Sequence, residues 1–206
     1  VRPRDGNGAR HESATRLPRT CYSVPINENI QKTAMKRLFL LRHAESGWVK
    51  AGQDDFTRTL SAHGRNTAPL IGRHMQGLGY MPSIALCSPA RRTRETWTHI
   101  SDALDGDTVE DLRPELYLAE PNTLLDAVRA IEDTHSDAIV ISHNPGILAL
   151  ALGLAGDDIR ADNPFGEYPA AALAVFDFGV ASWSGVTPGS GALIEFTHPD
   201  KLNSAA

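Results

Sequence analysis

Cysteine is nearly missing from this chain: Cys21 and Cys87 are the only two in 206 residues. Two thiols cannot staple a fold, and Cys87 ends an apolar run where a small buried hydrophobe suits, so a reducing, cytoplasmic setting is the expectation. No apolar run approaches the roughly 20 residues that cross a bilayer, and the opening VRPRDGNGARHES lacks the apolar centre of a secretory signal. No membrane partner is expected. A positive excess is missing too: the formal charge is −5, with six Arg/Lys against three acids in residues 1–34 and fourteen against twenty-two in the rest. The acidic body argues against a nucleic-acid partner, which needs a basic face to neutralise phosphates.

Several catalytic signatures are absent as well. There is no H-E-x-x-H or paired Cys/His spacing for a metal, no G-x-S-x-G elbow for a serine hydrolase and no P-loop. Cys87-Ser88-Pro89-Ala90-Arg91-Arg92 matches a cysteine-phosphatase loop only in part, because Thr93 stands six after the cysteine and Leu86, not histidine, stands before it.

What is present reads as one domain. Residues 1–34 mix Arg, Gly, Asn, Ser, Thr and Pro without helical or strand period and are read as a tail or extension, leaving 35–206 as a single domain. Residues 37–41 (RLFLL), 83–87 (SIALC), 138–142 (AIVIS) and 171–177 (AALAVFD) are short apolar runs suited to a sheet covered on both faces. Helical spacing lies between them. Ala68, Ile71, Met75 and Leu78 follow Ser61 as N-cap, with Gly77 and Gly79 as a stop, and Leu124, Val128 and Ile131 follow Asn122. Two more helices are expected after Pro89 and Pro145. The alternation predicts an α/β fold, a three-layer α/β/α sandwich with a mostly parallel central sheet. Trp183, the turn-like Pro188-Gly189-Ser190-Gly191 and ALIEF read as strands at one edge, antiparallel pairing among the options.

In open α/β sheets the ligand crevice lies beyond the carboxyl ends of the strands. Three runs end there in polar chemistry: Arg42-His43 after the first, Ser88 to Arg92 after the second, His143-Asn144-Pro145-Gly146 after the third. Arginine offers a planar fork of donors that matches phosphate oxygens. A histidine among such cations resists protonation, so its ring nitrogen can attack phosphorus while a second histidine donates to the phosphoryl oxygens. Arginines beside the histidines would repel a metal ion, so none is expected. The other histidines, such as His63 and His198, read as ordinary surface or core residues.

RHAES, DDFTRTLSAHG, SPARRTRET and ISHNPG, in that order, resemble the histidine phosphatase superfamily, the phosphoglycerate mutase-like clan, and most closely its SixA-like phosphohistidine phosphatase branch. The likeness runs from Arg37 to Leu202. It implies a phosphoglycerate mutase-like fold, with His43 as the nucleophile, Arg42 and Arg92 gripping phosphate, and His143 as the second pocket histidine. It also implies Arg58 of the Asp-x-x-Arg-x-Leu segment, with Ser46, at the substrate rim, and no metal or organic cofactor. Ala44 stands where the family carries glycine. The proton donor to the leaving group is left open among Glu115, Glu120 and Asp55. The mutase branch carries asparagine where Val49 stands, and its long insertions and glutamate segment are missing, so hydrolysis of a phosphomonoester or phosphohistidine is favoured over transfer. The alternatives are a phosphoglycerate mutase-type phosphotransferase and a non-catalytic phosphate- or phosphoprotein-binding module. A phosphorylated protein or a small phosphorylated metabolite is the expected substrate, and the sequence does not reveal an oligomeric state.

Overall fold

Strand β1, Lys36–Arg42, places Leu38, Phe39, Leu40 and Leu41 wholly out of solvent, as an unbroken apolar run at the centre of a sheet must. The computed structural model of the chain describes residues 35–48, 52, 54–104, 106–156, 159 and 163–204; the residue 1–34 segment and Val49 lie outside these. After β1 come α1 (Ala62–Gly77), β2 (Ile84–Cys87), α2 (Arg91–Ser101), β3 (Val109–Leu112), α3 (Pro121–Arg129), β4 (Asp137–Ser142), α4 (Gly146–Leu154), β5 (Leu173–Phe178), β6 (Ala192–Thr197) and α5 (Pro199–Ser204).

The sheet order is β3-β2-β4-β1-β5-β6. Strands β1, β4, β2 and β3 pair in parallel, while β5 runs antiparallel to both β1 and β6. The sheet is mostly parallel, with its reversal at one edge. Side chains alternate across it with the strand period of two. Leu38, Leu40, Leu86 and Val140 pack with Leu124 and Val128 of α3 and Ile147 and Leu150 of α4. Phe39, Leu41, Cys87 and Ile141 pack on the other face with Ile71 and Met75 of α1 and Trp97 and Ile100 of α2. Each large aliphatic side chain buried in this way stabilises the fold by about 1.5–3 kcal/mol.

Helix α1 starts as its sequence predicts, Ser61 Oγ accepting from the Gly64 N–H at 3.0 Å. Leu78, however, is the exposed C-cap of that helix and not a core residue. Helix α3 begins at Pro121, a favoured first position for proline, with Glu120 and not Asn122 at its N-cap; Ile131 lies beyond its end. Strand β5 opens at Leu173 and not at 171, because Ala171 turns left-handed at φ 56°. Strand β3 was not anticipated: Val109, Glu110 and Leu112 are exposed at the sheet edge, so VEDL carries no buried period.

Two glycines let neighbouring backbone approach the strand ends. A Cβ on Gly64 would sit 2.1 Å from the Glu45 carbonyl oxygen, and one on Gly146 would sit 1.9 Å from that of Ala119. Gly64 lets α1 close over the turn after His43, and Gly146 lets α4 start directly behind His143.

Candidate active site

The carboxyl ends of β1, β2 and β4 meet because these strands are neighbours, and the backbone there is stitched. The His43 N–H donates to Ser142 O at 3.1 Å, the Ser88 N–H to Ile141 O at 3.0 Å, and the Ala171 N–H to His43 O at 3.1 Å. Ala44 is fully buried, its methyl in the core and its N–H on Thr96 Oγ1 at 2.9 Å, so the extra carbon finds room. Arg42, His43, Arg92 and His143 line one cavity of about 430 Å³, together with Glu45, Ser46, Asp55, Arg58, Leu118, Asn144 and Ala170.

His43 Nδ1 lies 2.7 Å from the Ala44 carbonyl oxygen. That oxygen can only accept, so Nδ1 carries the proton and Nε2 keeps its lone pair. Arg92 Nε donates to that Nε2 at 3.2 Å, which agrees with the same tautomer. Arg92 Nη2 donates to His143 Nδ1 at 3.1 Å, so the His143 Nε2–H points to Ser88 Oγ at 2.8 Å. The two imidazole centroids are 5.2 Å apart.

Both rings are held neutral. Burial pushes His43 down to about 3, with Arg92, Arg42 and Arg58 adding to it against the Ala44 carbonyl. His143 is also lowered to about 3, by burial first and then by His43 and Arg92. Arg42 is lowered by burial. Its Nη1 donates to Tyr168 O at 2.8 Å, but its buried Nε has no partner among the described residues. An unpaired buried guanidinium N–H beside a neutral nucleophilic nitrogen is what an anion cage requires.

Arg92, only 2% exposed, is the organiser of the cage. Its Nη1 donates to Asp55 O at 2.8 Å and its Nη2 to Asp55 Oδ2 at 3.0 Å. Arg91 faces outward, pairing with Glu95 at 2.8 Å, and Arg94 is exposed. Arg58 sits at the rim: Nη1 donates to Asp55 Oδ1 at 2.7 Å and Nη2 to Ser46 Oγ at 2.6 Å.

The three candidate proton donors fall in different places. Glu115 is exposed and pairs with Arg113 at 3.4 Å, and Glu120 is the exposed N-cap of α3; neither lines the cavity. Asp55 does line it. Burial alone would raise its carboxyl, but bonds from Arg58, Tyr117 and Arg92 outweigh that and hold it at about 2. At neutral pH it is an ion-pair partner with no proton to give.

Three contributors were not singled out from sequence. Ser88 lies inside the quoted Ser-Pro motif, so its signal was available. Tyr117 donates to Asp55 Oδ2 at 2.8 Å and stands edge-on to His143 at 5.5 Å. Tyr168 is fully buried at φ 52°, bonds Leu40 O through its hydroxyl at 2.8 Å, and offers its carbonyl to Arg42 and Asn144. Neither tyrosine sits in a pattern that marks it.

Known proteins resemble the chain in sequence and in fold. The profile of the histidine phosphatase superfamily (branch 1) matches residues 38–117. An uncharacterised protein of Mycobacterium leprae is 30% identical over 77% of this chain and 99% of its own length. A structure from Agrobacterium tumefaciens assigned as phosphohistidine phosphatase SixA superposes with a TM-score of 0.70 at 28% identity, covering 80% of this chain and 98% of that one. One from Nakamurella with the same assignment gives 0.67 at 25% identity, over 80% and 96%. With three strand-end motifs, a two-histidine, two-arginine cavity and these relatives, the chain belongs to the histidine phosphatase superfamily, among its SixA-like members.

Proposed function

We propose that this chain is a phosphatase that works through a covalent phosphohistidine on His43. Family membership supports a phosphatase or mutase-type enzyme, and the tautomer of His43 carries the finer reading: a neutral Nε2, proton-free and flanked by Arg92, is a ready nucleophile. Arg42, Arg92 and His143 hold the phosphoryl oxygens, and Arg58 with Ser46 borders the substrate. As Arg92 Nη2 turns from His143 Nδ1 to a bound dianion, that nitrogen is freed to take up a proton, and the resulting N–H donates to the dianion.

In the first step Arg92 Nε–H turns from Nε2 to the incoming phosphoryl oxygen, and the freed Nε2 lone pair attacks phosphorus. The bond to the leaving group breaks, and its electron pair departs with that group, which takes up a proton from solvent water. Water then attacks the phosphohistidine, releasing inorganic phosphate and returning the lone pair to Nε2. Asp55 is ionised, and Glu45, the other lining carboxyl, bonds Ser61 Oγ at 2.5 Å. Among the described residues both lining carboxyls are already engaged by donors, which favours a leaving group that departs easily, such as the imidazole of a phosphohistidine. The SixA assignment of the Agrobacterium relative supports the same choice.

The test is brief mixing with radiolabelled phosphoramidate, then acid and base stability of the protein-bound label. Acid-labile, base-stable label is expected on the wild type, and none on His43→Ala, whose turnover should fall by at least about 10³-fold. Label on serine or cysteine, or full activity in the variant, would overturn the proposal.

A further inference from the structure

A second cavity, of about 620 Å³, adjoins the catalytic one and shares Glu45, Ser46 and Arg58 with it. Its remaining lining is Gly47, Trp48 and Ser61. The walls are set by backbone pairing: Ser46 bridges Leu60, the Gly47 N–H donates to Thr59 O at 3.1 Å, and the Ser61 N–H donates to Glu45 O at 2.9 Å. The annex is therefore a preformed extension of the phosphoryl site.

Trp48 is 96% exposed, while the other exposed large hydrophobics fall between 41% and 58%. A lone exposed apolar side chain needs no explanation, but this one lines a cavity that shares Glu45, Ser46 and Arg58 with the catalytic one. Its indole presents a π-face that attracts cations. Glu45 accepts from Ser61 Oγ through Oε1 alone, leaving Oε2 unbonded among the described residues. Arg58, the one cation in the wall among the described residues, is matched by Asp55 at 2.7 Å and directs its other donors to Ser46 Oγ and Gly47 O. The capacity left over is an aromatic face and a carboxylate oxygen, and both fit a positive charge.

Resting on the phosphatase reading above, we infer that Trp48 and Glu45 form a leaving-group subsite that receives a basic side chain next to the phosphorylated residue of a polypeptide substrate. The cavity shares three wall residues with the catalytic one, and an extended chain advances about 3.3–3.6 Å per residue, so a lysine or arginine within a few residues of the phosphohistidine reaches it. The acidic body of the chain, net −5 overall, draws the same kind of partner.

The experiment compares three substrates: a phosphohistidine peptide with lysine beside the phosphorylated residue, the same peptide with glutamate there, and free phosphoramidate. Wild-type kcat/KM is expected to favour the lysine peptide over the glutamate peptide by roughly 3- to 10-fold, the size of an exposed cation–π contact plus a surface ion pair. In both Trp48→Ala and Glu45→Gln the ratio should drop toward 1, and added salt should shrink it in the wild type. Trp48 is exposed, so its replacement leaves the core untouched. Equal turnover of the two peptides, a preference for glutamate, or a lysine preference that survives both substitutions would overturn the subsite alone. No hydrolysis of any of the three, phosphoramidate included, would overturn the phosphatase reading and the subsite with it.

Discussion

Strand β1 carries a basic pair near each end, and the two ends are treated differently. At its start, Lys36 is 4% exposed and fully provided for, with Nζ on Asp133 O at 2.7 Å and His135 O at 2.8 Å. Arg37 grips Asp177 with two bonds, of 2.6 and 2.7 Å, and lies 5.4 Å from the Tyr80 ring centre. At the other end Arg42 keeps a buried N–H without a partner, beside a histidine that burial and three arginines hold neutral. An arginine stands at each end, so residue type alone does not mark function. The unmet donor does: one end is closed on itself, and at the other Arg42 keeps a buried Nε–H with no partner among the described residues, poised for something negative.

This contrast breaks cleanly under substitution. Arg42→Met should lower kcat/KM for phosphoramidate by about 10²- to 10³-fold while leaving urea stability unchanged or higher, since it removes a buried cation with an unmet donor. Arg37→Met should do the reverse: about 1–3 kcal/mol of stability lost, because Asp177 is left only 11% exposed without its partner, and turnover altered by less than about 2-fold. Equal stability losses in the two variants would erase the distinction between the ends.

A pH series sharpens it. His43 and His143 stay neutral in the fold down to about 3, against roughly 6.5 in an unfolded chain. Between those values the unfolded state binds more protons, so the stability from keeping the rings neutral is full above about 6.5 and drains away as pH falls toward 3. Urea midpoints followed from pH 7 to pH 4 should decline, and decline less in the double variant H43Q/H143Q. The smallest effect is expected at Glu115→Gln: turnover should change by less than about 2-fold, as for other exposed, loosely paired carboxylates. A larger loss would return Glu115 to the list of proton donors.

Much of this was legible in the chain because buried parallel strands and helix starts write themselves in periods and caps. RLFLL, AIVIS and Ser61 needed no coordinates. The anchors of the cage stand at or soon after strand ends, Arg42 closing β1, His43 and His143 following β1 and β4, and Arg92 in the first turn of α2, so their convergence followed from the fold class. What stayed hidden depended on contacts that no period encodes. VEDL is too exposed to show a buried face. Asp55 looked like one carboxylate among three until Arg92, Arg58 and Tyr117 were seen around it. Tyr168 and Tyr117 act by reaching back from loops more than 70 residues from β1, a distance over which only tertiary packing speaks.

Asp55 also bears on how a turnover cycle ends. Its carboxylate already answers Arg92 and Arg58 before any phosphoryl group arrives. On the phosphatase reading, a departing inorganic phosphate would leave behind a partly compensated cage instead of naked charge, which would temper product inhibition and let the next substrate enter by exchanging one anion's hold for another's.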